Sequence, residues 1–472
     1  MGDDHEFAMD LHRIIKATAD AVAGGGASNE LVEKVTTHLG IPLSQVVLVG
    51  RNGPQWEHAS VQAGVDAYLE RHGAGEWFGI VGGQRAHEEL ISMLVQARRS
   101  GTFELGAVDY ATVATGPEDA TEVIQLGLVP ATAADGTPVI IGIRGANAMF
   151  GQEVCRFEVL AGSREVAAGV REEIERLMDA HNVLRGQVLA FGTNEHRGNE
   201  LLSFMPRPEL SDDEVILAEG VLEAIERHTV GIDASGERLL AAGQHLKRGL
   251  LLHGPAGTGK THTVRYLMGR LPESTVIVLT GMAMRWISKA AELARRLQPS
   301  IVVLEDVDLI AQERVYGPAG ANPLLFMLLD AMDGIGRDAN VTFVLTTNRA
   351  DELERALTDR PGRVDLAVEI PKPDADGRLR LLELYGRGIE LTADLAPIVE
   401  STEGVTASYI KELLRRAVLK AIADDPDGGA VTVGSETLTA ALAEMQGEHN
   451  TLTRALLGSG ESGESQPRSF PG

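Results

Sequence analysis

The sequence holds 472 residues, with 43 Lys and Arg against 68 Asp and Glu, a net charge of −25 at pH 7 and a single cysteine. At roughly 150 residues per domain, this length predicts about three domains, each able to bury its own core. The acidic balance argues against a general polyanion binder, which needs a local excess of Lys and Arg to displace counterions. Cys155 alone can form neither an internal disulfide nor a cysteine-rich metal site. No apolar run reaches the ~18 residues a bilayer requires, and residues 1–20 lack a basic-then-apolar leader. The expected setting is therefore a reducing, cytoplasmic one.

In chain order, residues 1–100 read as mainly helical. Leu31, Val32, Val35 and Leu39 recur at helical spacing, as do Leu90, Ile91 and Leu94, with Gly24-Gly25-Gly26 and Asn52-Gly53-Pro54 as punctuation. Residues 101–204 read as an α+β domain suited to recruiting an adaptor or target. Its predicted strands are Val108 to Ala114, Val139 to Arg144, Phe157 to Leu160 and Gln187 to Phe191; Asp135-Gly136 falls at a hairpin turn. A helix is predicted from an N-cap at Ser163 to about His181. Cys155 sits among apolar neighbours on a strand and reads as a buried structural thiol. Pro206 to Asp213 marks a boundary before a helix predicted from Glu214 to about His228.

Beyond that boundary, short apolar strands alternate with longer helices, the pattern of a parallel sheet covered by helices. The strands are Leu250 to Leu252, Val276 to Leu279, Ile301 to Leu304 and Val341 to Thr346. Residues 210–372 form the predicted α/β nucleotide-binding part, residues 373–447 a helical lid, and residues 448–472 a Gly-, Ser- and Glu-rich tail too polar to order itself.

Gly254-Pro255-Ala256-Gly257-Thr258-Gly259-Lys260-Thr261 fits G-x-x-x-x-G-K-T in full, after a strand and before a helix that begins with His262 among its first residues. The glycines let backbone N–H groups turn around an anion, and the helix N-terminus adds partial positive charge. Lys260 would reach the β- and γ-phosphates, and the Thr261 hydroxyl would hold Mg²⁺; His262 is grouped with the loop as a nucleotide contact. About forty residues on, a buried strand ends in Glu305-Asp306-Val307-Asp308. Acids at such a strand tip lie beside the phosphate loop, where one can sit on the metal and the next can orient or deprotonate water.

The phosphate loop, this acidic strand end, Thr346-Thr347-Asn348-Arg349 and Arg360-Pro361-Gly362-Arg363-Val364-Asp365 together resemble the AAA ATPase module, over about Leu210 to Met445. The resemblance implies a P-loop NTPase sheet with a helical lid, working on Mg-ATP at the subunit interfaces of a ring, commonly of six. It makes Asn348 the sensor that positions the water, and Arg360 and Arg363 the fingers reaching a neighbour's γ-phosphate. Leu329 to Gly334 matches the family's inter-subunit signalling segment, and Gly404 to Ser408 its second-sensor position.

The family's usual Asp-Glu order is reversed here, which puts Glu305 on the metal position and the shorter Asp306 on the water; slow turnover is the expected consequence. This Glu-Asp order is similar to the mitochondrial Rieske-protein translocase subfamily, whose membrane helix has no counterpart here. The family's aromatic-hydrophobic-glycine pore loop is also missing; Met282, Met284 and Trp286 are the bulky residues of the corresponding stretch, with Trp286 either on a pore loop or packed under the sheet. His87-Glu88 and His5-Glu6 lack the second histidine of a zinc-protease helix, Ile91 and Met9 standing at its position. Three functions follow in order: an ATPase that remodels a protein client, a nucleotide-controlled oligomeric scaffold with slow turnover, and a nucleic-acid loader, which the acidic charge disfavours.

Overall fold

The computed structural model describes residues 29–83, 85, 88–147, 152–193, 200–308, 323–349, 363–424 and 429–447. The chain divides into two compact units between Leu184 and Arg185.

The first unit carries an antiparallel sheet. Strands β1 (Val47–Pro54), β4 (Asp109–Ala114), β5 (Ala120–Thr132), β6 (Pro138–Arg144) and β7 (Val154–Ala161) lie in the order β1-β7-β6-β5-β4. Val139, Ile141, Ile143, Phe157 and Val159 pack on one face beneath helices α1 (His58–His72) and α2 (Arg164–Ala180). Leu128, Ile140 and Leu160 pack on the other beneath helices Glu30–Leu39 and Leu90–Ser100. Both faces are therefore covered, and the period-two pattern has apolar residues on each. Ser163 caps α2 by accepting from the Val166 amide, and Gly136 turns the β5–β6 hairpin at φ 85°.

Two sequence expectations change here. Residues 1–100 and 101–204 are not separate regions: β1, drawn from the first, pairs antiparallel with β7 from the second along its whole length. Asn52-Gly53-Pro54, read as a break, is the end of that strand. The second change concerns the boundary near 204. Strand β8 (Val188–Thr193) pairs in parallel with β11 (Thr275–Thr280), and β9 (Glu200–Met205) returns antiparallel to β8. This hairpin belongs to the second unit, whose sheet runs in the order β14 (Leu366–Glu369), β10 (Arg248–His253), β13 (Val341–Thr347), β12 (Ser300–Glu305), β11, β8, β9. Arg207 fastens it: the guanidinium donates to the carbonyls of Gly186 and Ser274 at 3.0 and 2.9 Å, and to those of Leu271 and Met268.

The remaining strands are β10 (Arg248–His253), β12 (Ser300–Glu305), β13 (Val341–Thr347) and β14 (Leu366–Glu369), all parallel to their neighbours. β10, β12 and β13 are buried nearly throughout, which is why they read as continuous apolar runs. The lid closes around its own core of Leu381, Leu382, Ile410, Leu413, Leu438 and Leu442. It is not wholly helical, since Glu390–Leu391 pairs with Thr432–Val433. The helix expected from Glu214 begins at Val221 instead. Ile216 packs against the lid core while Leu217 and Val221 pack against the sheet core, so residues 215–220 form a connecting strap rather than a helix. Among the described residues no helix is long and apolar enough to cross a membrane.

Candidate nucleotide site

Strand β10, second from the β14 edge of the sheet, delivers its chain to a loop, and helix α3 (Lys260–Arg270) leaves from it. Gly254, Gly257 and Gly259 hold φ of 141°, 77° and 112°, which side-chain-bearing residues avoid. At Gly254 a Cβ would collide with the carbonyl of Ile370, so the loop passes close under β14. The first amides of α3 lack intrahelical acceptors and concentrate the helix dipole, a ready anion site.

Lys260 is buried, and its Nζ donates to the carbonyls of Gly254 and Pro255, both at 2.9 Å, and to Asn348 Oδ1 at 2.7 Å. Burial depresses its pKa, opposed by the nearby charges of Asp306 and Asp308. Asn348 and the loop lysine, 88 residues apart, are thus in direct contact. Asn348 Nδ2 stands 3.4 Å from Asp306 Oδ1, bringing three expected site residues together.

Glu305 ends β12, and the Thr261 hydroxyl donates to its carboxylate. Burial and the Asp306 charge push the Glu305 carboxyl up, against the pull of Arg265 and of that hydrogen bond. A hydroxyl and an acidic carboxylate in contact are the hard oxygen donors that Mg²⁺ takes alongside phosphate oxygens and water, so these two residues fit the ion. Asp306 is the one non-glycine residue at positive φ among those described, at 55°. That conformation costs about 1–2 kcal/mol and is held by its amide donating to Thr346 Oγ1 at 2.9 Å.

The cleft beside the loop has a volume of about 140 Å³ and is lined by Ile216, Leu217, Ala218, Thr258, Ile370 and Leu381, among others. Its walls come from the strap, the phosphate loop and the lid. His262 does not line it: the imidazole lies 2.9 Å from the Glu214 carbonyl and so ties down the strap. The lid reaches the loop through Ser408, whose amide and hydroxyl donate to the Gly257 carbonyl at 3.1 and 3.3 Å. Ser408 lies in the stretch Gly404 to Ser408 singled out by the resemblance, whereas the strap was missed in the sequence; Ile216-Leu217, an apolar pair after an acidic turn, was the available signal for it.

Arg360, Pro361 and Gly362 lie outside the described residues. Arg363 is buried, and its guanidinium grips Asp333 with Nε–Oδ1 3.0 Å and Nη2–Oδ2 2.7 Å. Arg363 is thus engaged within its own chain, at the end of the stretch Leu329 to Gly334. Trp286 ends a 3₁₀ segment, Gly281–Trp286, half-buried with Arg285 and Lys289 over its ring at 4.9 and 5.0 Å; Met282 beside it is 66 % exposed.

A largely parallel sheet, a glycine loop feeding a helix and acids at the tip of β12 define a P-loop nucleoside-triphosphatase domain. Residues 250–372 match the family described as ATPase family associated with various cellular activities (AAA). An ATP-dependent zinc metalloprotease FtsH of a Synechococcus strain is 32 % identical over 260 residues, covering 52 % of this chain and 40 % of that protein. FtsH of Thermus thermophilus is 32 % identical over 228 residues, 45 % and 36 %. The proteasome-activating nucleotidase of Pyrococcus horikoshii is 34 % identical over 188 residues, 37 % and 47 %. The chain thus carries an AAA ATPase domain over residues 250–372, and it spans less than half the length of each of these relatives.

Proposed function

We propose that the protein binds Mg-ATP in the cleft beside Gly254–Thr261 and hydrolyses it to drive remodelling of a protein client. The observation that carries this is the joining of Lys260, Asn348 and Asp306 in one contact chain at the phosphate loop. Lys260, now resting on loop carbonyls, has a better partner in a phosphate oxygen, because a charge-assisted contact outweighs a neutral one. Thr261 and Glu305 would hold Mg²⁺, which neutralises charge on the β- and γ-phosphates. Asp306 and Asn348 orient the water whose oxygen attacks the γ-phosphorus; the bond to the bridging oxygen breaks, leaving ADP and phosphate. Arg360, and Arg363 if it leaves Asp333, would reach the γ-phosphate of a neighbouring subunit in a ring, hexameric by family likeness. The unit ending at Leu184 would recruit the client or an adaptor in the cytoplasm.

The remodelling reading draws support from relatives whose names denote a protease and a proteasome activator. The scaffold reading is favoured by one specific feature, the absence of an aromatic pore loop where Trp286 is half-buried. Stimulation of turnover by unfolded protein distinguishes the two. For the site itself, Lys260→Ala is expected to weaken ATP binding by about 2–3 kcal/mol, the worth of a charged hydrogen bond left unmade, and to abolish turnover. Retention of wild-type ATP affinity by calorimetry would contradict the assignment.

A further inference from the structure

We propose that Asp308, two residues beyond the water-orienting acid, is a positioning residue that sets the sensor Asn348; the inference rests on the ATPase reading above. Asp308 is 5 % exposed. Burying a carboxylate is costly unless hydrogen bonds satisfy it. Its Oδ1 takes two, both from the end of β13: the Thr347 hydroxyl and the Asn348 amide, each at 3.2 Å. Thr347 Oγ1 in turn accepts from the Arg349 amide at 3.0 Å. Asn348 is therefore gripped on both sides at its backbone, while its exposed amide side chain spans Lys260 and Asp306.

The neighbouring contacts run the same way. The Val307 amide donates to the Thr346 carbonyl at 2.9 Å, and the Asp306 amide to the Thr346 hydroxyl. The acidic strand end and the sensor strand end are thus laced together over three consecutive residues on each side. Asp308 differs from Asp306 and Val307 in holding Thr347 and the Asn348 backbone amide through its side chain, so a substitution there can loosen the sensor without touching phosphate or metal. With Asp306 a methylene shorter than the usual glutamate, the geometry of Asn348 decides more of the water's placement.

The test is steady-state and binding measurement on the full chain. Asp308→Ala is expected to lower kcat by about 10²-fold, the cost of an ~1 Å misplacement, with KM and ATP affinity within about threefold. Asp308→Asn keeps an acceptor oxygen and is expected to restore most of that loss. Combined with Asn348→Ala, the Asp308→Ala change should slow the enzyme no further, because both act through one group. Thr347→Val leaves Asp308 in place and offers a second reading, a ~10-fold loss in kcat at unchanged ATP affinity. A kcat for Asp308→Ala within about twofold of wild type, or losses that multiply with Asn348→Ala, overturns the inference. A wild-type protein without ATPase activity, or an active Lys260→Ala variant, would instead overturn the underlying reading.

Discussion

Asp306 shows how a single residue is spent on chemistry. Its positive φ is a conformation normally left to glycine, and the hydrogen bond from its amide to Thr346 maintains it. The turn separates it from Glu305, whose carboxylate faces the Thr261 hydroxyl. Two adjacent acids thereby acquire different partners, Thr261 and Asn348, and the proposed division into a metal-side and a water-side acid can be tested. Asp306→Asn is expected to bind ATP normally and lose ~10²–10⁴-fold in kcat, whereas Glu305→Gln should shift the Mg²⁺ dependence of turnover. The reverse outcome, with ATP trapped by Glu305→Gln and Asp306→Asn still active, would exchange the two roles. Asp306→Gly is informative in another way: it relieves the backbone strain while deleting the carboxylate, so a gain in stability with loss of rate separates the two contributions.

At the scale of elements, the β8–β9 hairpin extends the nucleotide-binding sheet by two strands. Arg207 ties this extension to Met268 and Leu271 at the far end of the helix that begins with Lys260. Removing the guanidinium leaves four carbonyls without that donor, so Arg207→Ala is expected to cost about 2 kcal/mol of unfolding free energy. Amide exchange in 188–205 and 260–271 should rise together; faster exchange in the hairpin alone would show that it is an independent appendage. The sequence disclosed β10, β11, β12 and β13 because each is buried on both faces and so reads as an unbroken apolar run. It disclosed the phosphate loop because the glycine positions follow directly from backbone sterics. The hairpin's allegiance was not legible, since Val188 to Phe191 has the same pattern whichever sheet it joins, and pairing with Val276 spans almost ninety residues. The strap from Val215 was misread as helix because Ile216, Leu217, Val221 and Leu222 stand at helical spacing, yet they divide between two cores. For Arg363, the motif gave the residue but not the Asp333 carboxylate it meets across the fold.

For the whole molecule, the decisive issue is whether one chain can complete its own site. Lys260, Asn348, Asp306, Thr261 and Glu305 meet within a single subunit, and the guanidinium of Arg363 is engaged with Asp333. If Arg360 acts across an interface, it supplies the charge that the developing γ-phosphate oxygens lack, worth ~10³-fold or more in rate. Activity per chain should then fall on dilution as the assembly dissociates. A mixing experiment isolates the geometry more sharply. A Lys260→Ala subunit has a dead site and an intact Arg360, and an Arg360→Ala subunit has the reverse. Each alone should be nearly inactive. Mixed in equal amounts and reassembled at random, about one in four interfaces joins an intact site to an intact arginine, so about a quarter of wild-type turnover should return. Should the mixture stay as inactive as its parts under conditions where co-assembly is demonstrated, Arg360 serves its own subunit, and coupling around a ring through this arginine fails.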